Sequence, residues 1–323
     1  MCMYRFQPRL SIIHVSELLK IKEMKKDYEV IIIGGSYAGL AAAMALGRAL
    51  RKVLIIDSGQ PCNKQTPHSH NFLTQDGETP QAISAKAKEQ VLKYPTISFL
   101  TAKATQGVKT DLGFEIGTDT NETFTGKKLL FAAGIKDIMP HINGFAECWG
   151  ISVIHCPYCH GYEVKGIKTA IMANGDAAYH YCVLLSQWTN ELTVFTNGKS
   201  TLTPEQFDKI TAHSIEVIET DIDFLNQTAG QLESIVLKDG SVHNYTVIYS
   251  RVPFIQHSSI AQDLGCAIDE NGFIIVDDMQ KTAVPGLFAA GDCSTMMRSV
   301  SIAVAAGMKS GAIINHELSA ESF

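Results

Sequence analysis

Between Arg51 and Arg251 the sequence contains no arginine. A segment without guanidinium groups cannot clasp a phosphate through paired, planar hydrogen bonds. Long apolar runs are missing too. None approaches the roughly 18 residues of a membrane-spanning helix, so no such span is expected. No basic run stands out, and 27 Lys and Arg face 33 Asp and Glu for a formal net charge of −6, which argues against a nucleic-acid partner. Cysteine is sparse. The eight cysteines lie at 2, 62, 148, 156, 159, 182, 266 and 293, and only one pair is closely spaced. That is not the disulfide framework of a secreted domain. The apolar patch around Ile12 is interrupted by His14, Ser16 and Glu17, so it makes no signal-peptide core. Met24-Lys-Lys-Asp-Tyr reads as a start just before a strand. Residues 1–26 are therefore expected to be an N-terminal extension, residues 1–23 of it an upstream start or a loose arm, and the compartment a reducing cytoplasm. No repeat of solenoid period and no low-complexity segment is seen.

What is present suits an α/β protein of two domains. The chain has 323 residues and is 46% hydrophobic, enough for a sizeable core. Residues 28–33 form an apolar, β-rich run. Gly34-Gly35-Ser36-Tyr37-Ala38-Gly39 follows, and then a helix-forming stretch rich in Ala and Leu. The next apolar run, Val53-Leu54-Ile55-Ile56, ends at Asp57, 18 residues beyond Gly39. This is the order of a dinucleotide-binding βαβ unit. Gly34 allows the tight turn, Gly39 close packing of helix on strand, and the helix N-terminus faces a pyrophosphate. Ser36 stands where the fingerprint has its second glycine, and is small enough for a backbone to approach phosphate. Asp57 is spaced to hold ribose hydroxyls.

The segment His155-Cys156-Pro-Tyr-Cys159-His160 has three readings from spacing alone: haem attachment, half a zinc site, or a redox dithiol. Haem attachment follows export, and no export signal is seen. Zinc needs four ligands, and no second close pair of cysteines exists. A dithiol at a helix start has one thiolate stabilised by the helix dipole and exchanges two electrons as a disulfide. The remaining cysteines are read as small buried hydrophobes.

Near the C-terminus, Thr282-Ala-Val-Pro-Gly-Leu-Phe-Ala-Ala-Gly291-Asp292 reads as a short strand, with a helix from Ser301 to Leu318 after it. With Leu129-Leu130-Phe131-Ala132-Ala133-Gly134, the first glycine turn and the C-x-x-C, these motifs resemble those of the FAD-dependent pyridine nucleotide–disulfide oxidoreductases. The order of parts is similar to the low-molecular-weight thioredoxin reductases, and the resemblance covers residues 27–318. It implies two Rossmann-like domains, an FAD domain at 27–136 and 252–323 split around a smaller one at 140–248, and a homodimer. It places FAD against Gly34, Gly35, Ser36, Ala38, Gly39, Asp57, Ala133, Gly134, Gly291 and Asp292, with Asp292 on the ribitol and the Ser301–Ile302 turn at the pyrimidine end of the flavin. Cys159 corresponds to the thiol facing the flavin and Cys156 to the interchange thiol. His160 replaces the acid that classical members use as proton donor, and imidazole serves as acid or base. C-P-Y-C-H-G-Y-E is similar to the dithiol-oxidase-like, non-classical branch. In the loop after Asp57, Cys62-Asn63 and His70-Asn71-Phe72-Leu73 lie where relatives contact flavin. Asn71 and Gly77 are the candidate contacts there.

The second nucleotide site is expected to be eroded. Ala173-Asn174-Gly175 has alanine for its first glycine. Thr196-Asn197-Gly198-Lys199 lacks the arginines with which NADPH-specific relatives hold the 2′-phosphate. NAD(P)H use is thus open. Electrons would come from a small dithiol, with oxygen as acceptor, or from ferredoxin or flavodoxin, toward a thioredoxin-like disulfide. A redox sensor without turnover is the non-catalytic alternative. Phe323 reads as a frayed tail or, on resemblance, an aromatic over flavin. Tyr179, Tyr181 and Trp188 read as core aromatics on a helix at Asp176–Trp188.

Overall fold

The computed structural model describes residues 26–323. The expectations for residues 1–23, and all but the last residue of the 1–26 extension, lie outside the described residues. The larger sheet has seven strands. Four run parallel in the order Ile97–Thr101, Val53–Asp57, Lys26–Ile33 and Thr123–Phe131. Val30 to Ile33 and Val53 to Ile56 are almost wholly buried. Such unbroken Val/Ile runs are what a parallel sheet covered on both faces requires. The far edge of Thr123–Phe131 is shared. Its first half pairs antiparallel with Gly113–Thr118, and its second half pairs parallel with Leu287–Ala289, Leu129 opposite Leu287. The sheet is therefore completed by a strand from the far end of the chain.

Two helices cover one face. The first spans Tyr37–Arg48, and the closing helix runs Val300–Ser322, longer than the expected Ser301 to Leu318. They approach closely because small residues meet: a Cβ on Gly307 would lie 2.0 Å from Ala38 O, and one on Gly311 2.6 Å from Ala42 O. At the other end of the closing helix, buried Lys128 on the sheet pairs with Glu317 at 2.9 Å and with Glu321.

A second unit sits between the two parts of the first. Its parallel sheet has the order Glu216–Ile218, Leu192–Phe195, Thr169–Met172, Ile248–Ser250 and Val153–Ile154. A three-stranded antiparallel sheet from Ile222 to His243 packs over Phe145, Trp149 and Phe195. The chain leaves the first unit through Ile135–Asp137 and returns through Phe254–Gln256, and these two strands pair antiparallel. The helix expected at Asp176–Trp188 spans Gly175–Leu185. Tyr181 is buried and Tyr179 packs against the same core, as expected. Trp188 does not: it lies beyond the helix end, partly exposed, with its ring on the dithiol turn.

No helix among the described residues is long and apolar enough to cross a membrane. Replacing Gly307 with valine must push the closing helix off the first helix. The expected cost is about 1–3 kcal/mol, read as a lowered midpoint in urea unfolding. G307A should fall between wild type and G307V.

Candidate active site

The first turn is built as its glycines require. Gly34 has φ +107°, and a Cβ there would lie 2.2 Å from Ala132 O. A Cβ on Gly39 would lie 1.9 Å from Gly34 O, so strand and helix meet backbone to backbone. Ser36 is the helix N-cap, yet its side chain makes no capping bond. Its hydroxyl is thereby left for a bound group, next to the positive end of the helix. Asp57 accepts from Gly35 N at 2.9 Å and Gly59 N at 3.2 Å, which ties the end of the second strand to the turn.

One cavity collects residues distant in sequence. Ser36, Tyr37 and Ala38 line it from the first helix, and Ala132 to Ile135 from the end of the sheet. Gly291, Asp292, Arg298 and Ser299 enter from the C-terminal segment, and Cys159 and His160 from the second unit. Of the residues expected at a cofactor, Ser36, Ala38, Ala133, Gly134, Gly291 and Asp292 face this cavity. Gly34, Gly35, Gly39 and Asp57 support its turn from behind.

Three expectations need correction. Ser301 and Ile302 do not line the cavity. The closing helix begins one residue earlier with Ser299 as its cap, so Ser299 and Val300 face inward, while exposed Ser301 donates to Asn71 O at 3.1 Å. Asn71 lines a neighbouring outer cleft, with Pro157, Tyr158 and Trp188. Gly77 is absent from both walls and closes a hairpin through Ser69 O. Finally, Cys62 is not a core hydrophobe. It is exposed as a residue, but its thiol turns into the cavity, 3.9 Å from Asp292 Oδ2. Cys148, Cys182, Cys266 and Cys293 are buried as expected.

The cavity wall carries an ion-pair network that sequence reading missed. Arg298 makes two parallel hydrogen bonds to Asp137, Nη1 to Oδ1 at 2.9 Å and Nη2 to Oδ2 at 3.0 Å. Trp149 Nε1 also donates to Asp137 Oδ2, at 3.2 Å. The Arg298 Nε is buried without a hydrogen-bond partner, 3.7 Å from Asp292 Oδ2. Burial works against the Arg298 charge, but the Asp137 bonds outweigh it and hold its pKa above the usual arginine value. Burial raises the Asp292 pKa against the pull of Arg298. His155 stacks on Trp149 with centroids 5.7 Å apart. Burial, then the Arg298 charge, push its pKa down to about 4, so it stays neutral near pH 7.

Cys156 and Cys159 are joined as a disulfide, with Cα atoms 5.3 Å apart. Cys156 caps a one-turn helix, Pro157–His160, with proline at its first position. Both Cys159 N and His160 N donate to Cys156 O at 3.1 Å. Cys159 and His160 face the cavity, whereas Cys156 is not part of its wall. Gly161 follows because a Cβ there would lie 2.8 Å from Trp188 Nε1. Among the described residues no cluster of His, Cys, Asp and Glu could hold a metal.

The corresponding turn of the second unit is filled by the chain itself. Asn174 caps the helix, and its Oδ1 accepts from Gly175 N, Thr201 N and Thr201 Oγ1 at 2.8, 2.8 and 3.1 Å. Its Nδ2 donates to Lys199 O. Asp176, in the first helical turn, holds Gln206 at 2.7 Å, and Glu219 accepts from Ser200 N at 3.1 Å. Lys199 is exposed. Phe323 is fully exposed at the chain end and is not part of either cavity wall.

A family model described as pyridine nucleotide-disulphide oxidoreductase matches residues 28–307. Thioredoxin reductase tcpT of Claviceps purpurea is 31% identical over 305 residues, 91% of this chain and 95% of that protein. Thioredoxin reductase sirT of Leptosphaeria maculans is 29% identical over 307 residues, 90% of this chain and 94% of that one. A solved oxidoreductase from Agrobacterium tumefaciens has a TM-score of 0.84 at 36% identity, covering 90% of this chain and 98% of its own.

The Cys62 thiol is surrounded so that its pKa is pushed up to about 11, by burial first and the Asp292 charge second. At pH 8 it should be alkylated by iodoacetamide about two orders of magnitude more slowly than an ordinary thiol. Peptide mapping after timed labelling checks this, and Asp292→Asn should speed the reaction.

Proposed function

The chain belongs to the pyridine nucleotide-disulphide oxidoreductase family and is a flavin-dependent oxidoreductase of thioredoxin reductase type; on that premise we propose that it passes electrons between FAD and the Cys156–Cys159 disulfide, and from there to or from a thioredoxin-like protein or small dithiol. One observation carries this reading. Cys159 faces the same cavity as the N-terminus of the first helix and Gly291-Asp292, so one sulfur of the dithiol and the glycine turn open onto one space.

The residues suit FAD. The turn at Gly34, Gly35, Ser36 and Gly39 would take the pyrophosphate; Ser36 Oγ makes no capping bond, and Arg298 Nε makes no hydrogen bond though it lies 3.7 Å from Asp292 Oδ2. Asp292 would accept from a ribitol hydroxyl, with Ala133, Gly134 and Ser299 beside it. Bound there, FAD supplies a two-electron acceptor or donor. In the exchange, the substrate sulfur meets Cys156, Cys159 leaves as thiolate, and His160 holds the transferred proton. The expected roles of Ser301, Ile302 and Asn71 at the flavin are not retained.

Nicotinamide dinucleotide does not suit the second unit. Where its pyrophosphate would meet the helix N-terminus, Asn174 Oδ1 already accepts from Gly175 N and ties the turn to the Thr201 loop. Asp176 and Glu219 add negative charge, and Thr196-Asn197-Gly198-Lys199 after the next strand has no guanidinium; Arg251 stands after the strand Ile248–Ser250, which pairs with Thr169–Met172. The second unit thus presents the dithiol rather than a nicotinamide. A homodimer in the cytoplasm is part of this reading, by analogy with the family.

The test is an anaerobic titration of the flavin-loaded protein with dithiothreitol, NADH and NADPH in separate cuvettes. Dithiothreitol should bleach the flavin band, and Cys156→Ser or Cys159→Ser should abolish this while dithionite still bleaches it. Stoichiometric bleaching by NADPH within seconds would sink the claim about the second unit. Rapid return of colour in air would assign oxygen as acceptor. Slow return would favour a protein partner such as ferredoxin or flavodoxin.

A further inference from the structure

Five histidines, at 68, 70, 155, 160 and 257, line the flavin-side cavity. His70 alone of these also lines the outer cleft beside Tyr158 and Trp188, so it stands in the partition between the two. Its ring meets that of His160 edge-on, with centroids 6.5 Å apart and planes at 88°. Its two nitrogens face carboxylates from different segments. Nδ1 is 3.7 Å from Asp76 Oδ1 in its own loop, and Nε2 is 3.6 Å from Glu163 Oε1 beyond the dithiol turn. Both are ion-pair distances, long for a direct hydrogen bond. His70 is largely buried while both carboxylates reach solvent.

We propose that His70 is a positioning residue, held between Asp76 and Glu163, that orients and electrostatically tunes His160 as the group taking the substrate thiol's proton. The inference rests on the dithiol reading above. In the step concerned, a substrate dithiol attacks Cys156 Sγ, and its proton passes to His160. The Cys156–Cys159 bond breaks, with the electron pair leaving on Cys159. The second substrate thiol then closes the substrate's own S–S bond and expels Cys156, which keeps the second proton. The substrate is oxidised by two electrons and the enzyme disulfide is reduced by two.

The charges around the pair define how each acts. His160 faces His70 from the loop after Asp57, Glu163 from its own segment, and His155 one turn upstream. His70 faces Asp76, Glu163, His160 and the ring of His68 at 6.4 Å. Burial first, then the His70 charge, lower the His160 pKa, and Glu163 opposes them. A lowered value keeps His160 neutral, and able to accept a proton, further into acid. Removing the His70 charge must move the acid limb of thiol-dependent reduction up in pH, and removing the Glu163 charge must move it down.

The experiment is stopped-flow bleaching of the flavin-loaded protein by dithiothreitol, without oxygen, from pH 5 to 9, for wild type, His70→Gln and Glu163→Gln. The reagent's own ionisation is common to all three and cancels in the comparison. We expect the acid limb to rise by about half a pH unit or more in H70Q and to fall in E163Q. At a pH below the limb, H70Q should be about threefold slower than wild type. Limbs that stay put in both variants, or move the same way in both, would overturn the proposal. Should H70Q lose its flavin, E163Q, at a solvent-facing residue, still decides by the direction of its limb. A wild-type flavin bleached by dithionite but by dithiothreitol at no pH overturns the dithiol reading and this inference with it. Normal wild-type bleaching with unmoved limbs overturns this inference alone.

Discussion

The paired hydrogen bonds between Arg298 and Asp137 are the contact on which the site depends. Arg298 comes from the segment before the closing helix, Asp137 from the strand that leaves the first unit, and Trp149, bound to the same carboxylate, from the second unit. Three parts of the chain are thus tied at one planar fork, largely out of water. A buried pair of this kind adds little net stability against an apolar substitute, but losing one partner leaves an uncompensated charge. Its value is geometric. It sets Asp292 on one side and the Trp149–His155 stack on the other, and so relates the dinucleotide turn to the dithiol.

The two nucleotide-type units differ in how their turns are built. In the first, glycines bring backbones together and leave the helix end and the Ser36 hydroxyl without internal partners. In the second, Asn174 caps the helix and binds the Thr201 loop, with Asp176 and Glu219 close by. The strands and helices are alike. The difference lies in the cap: Ser36 makes no capping bond, whereas Asn174 accepts from Gly175 N.

Much of this was legible from local chemistry. The Gly34–Gly39 turn, the strand before it and the helix after it follow from period and glycine placement. The dithiol turn follows from cysteine spacing with proline at the helix start. What was not legible depended on contacts between distant segments. Nothing in the sequence pairs Asp137 with Arg298 or aims the Cys62 thiol at Asp292. The one-residue shift of the closing helix, which exchanges Ser301 and Ile302 for Ser299 and Val300, turns on the Ser299 cap. Trp188 misled because a helical period was extended past Leu185, where the chain turns to lay the ring on Gly161.

The shared edge of the strand Thr123–Phe131 bears on how the molecule comes to exist. Leu129 to Phe131 cannot be fully paired until Leu287 to Ala289 arrive, after the whole second unit has been synthesised. Pairing over such a separation is slow, because the loop must close before the contact is gained. A chain emerging from the ribosome therefore carries an open sheet edge, half guarded by the hairpin at Ala104–Thr118, while the second unit has all of its own strands to hand. The cavity wall contributed by Gly291, Asp292 and Arg298 forms last, so the cavity is whole only once the C-terminal segment has packed back on the first unit.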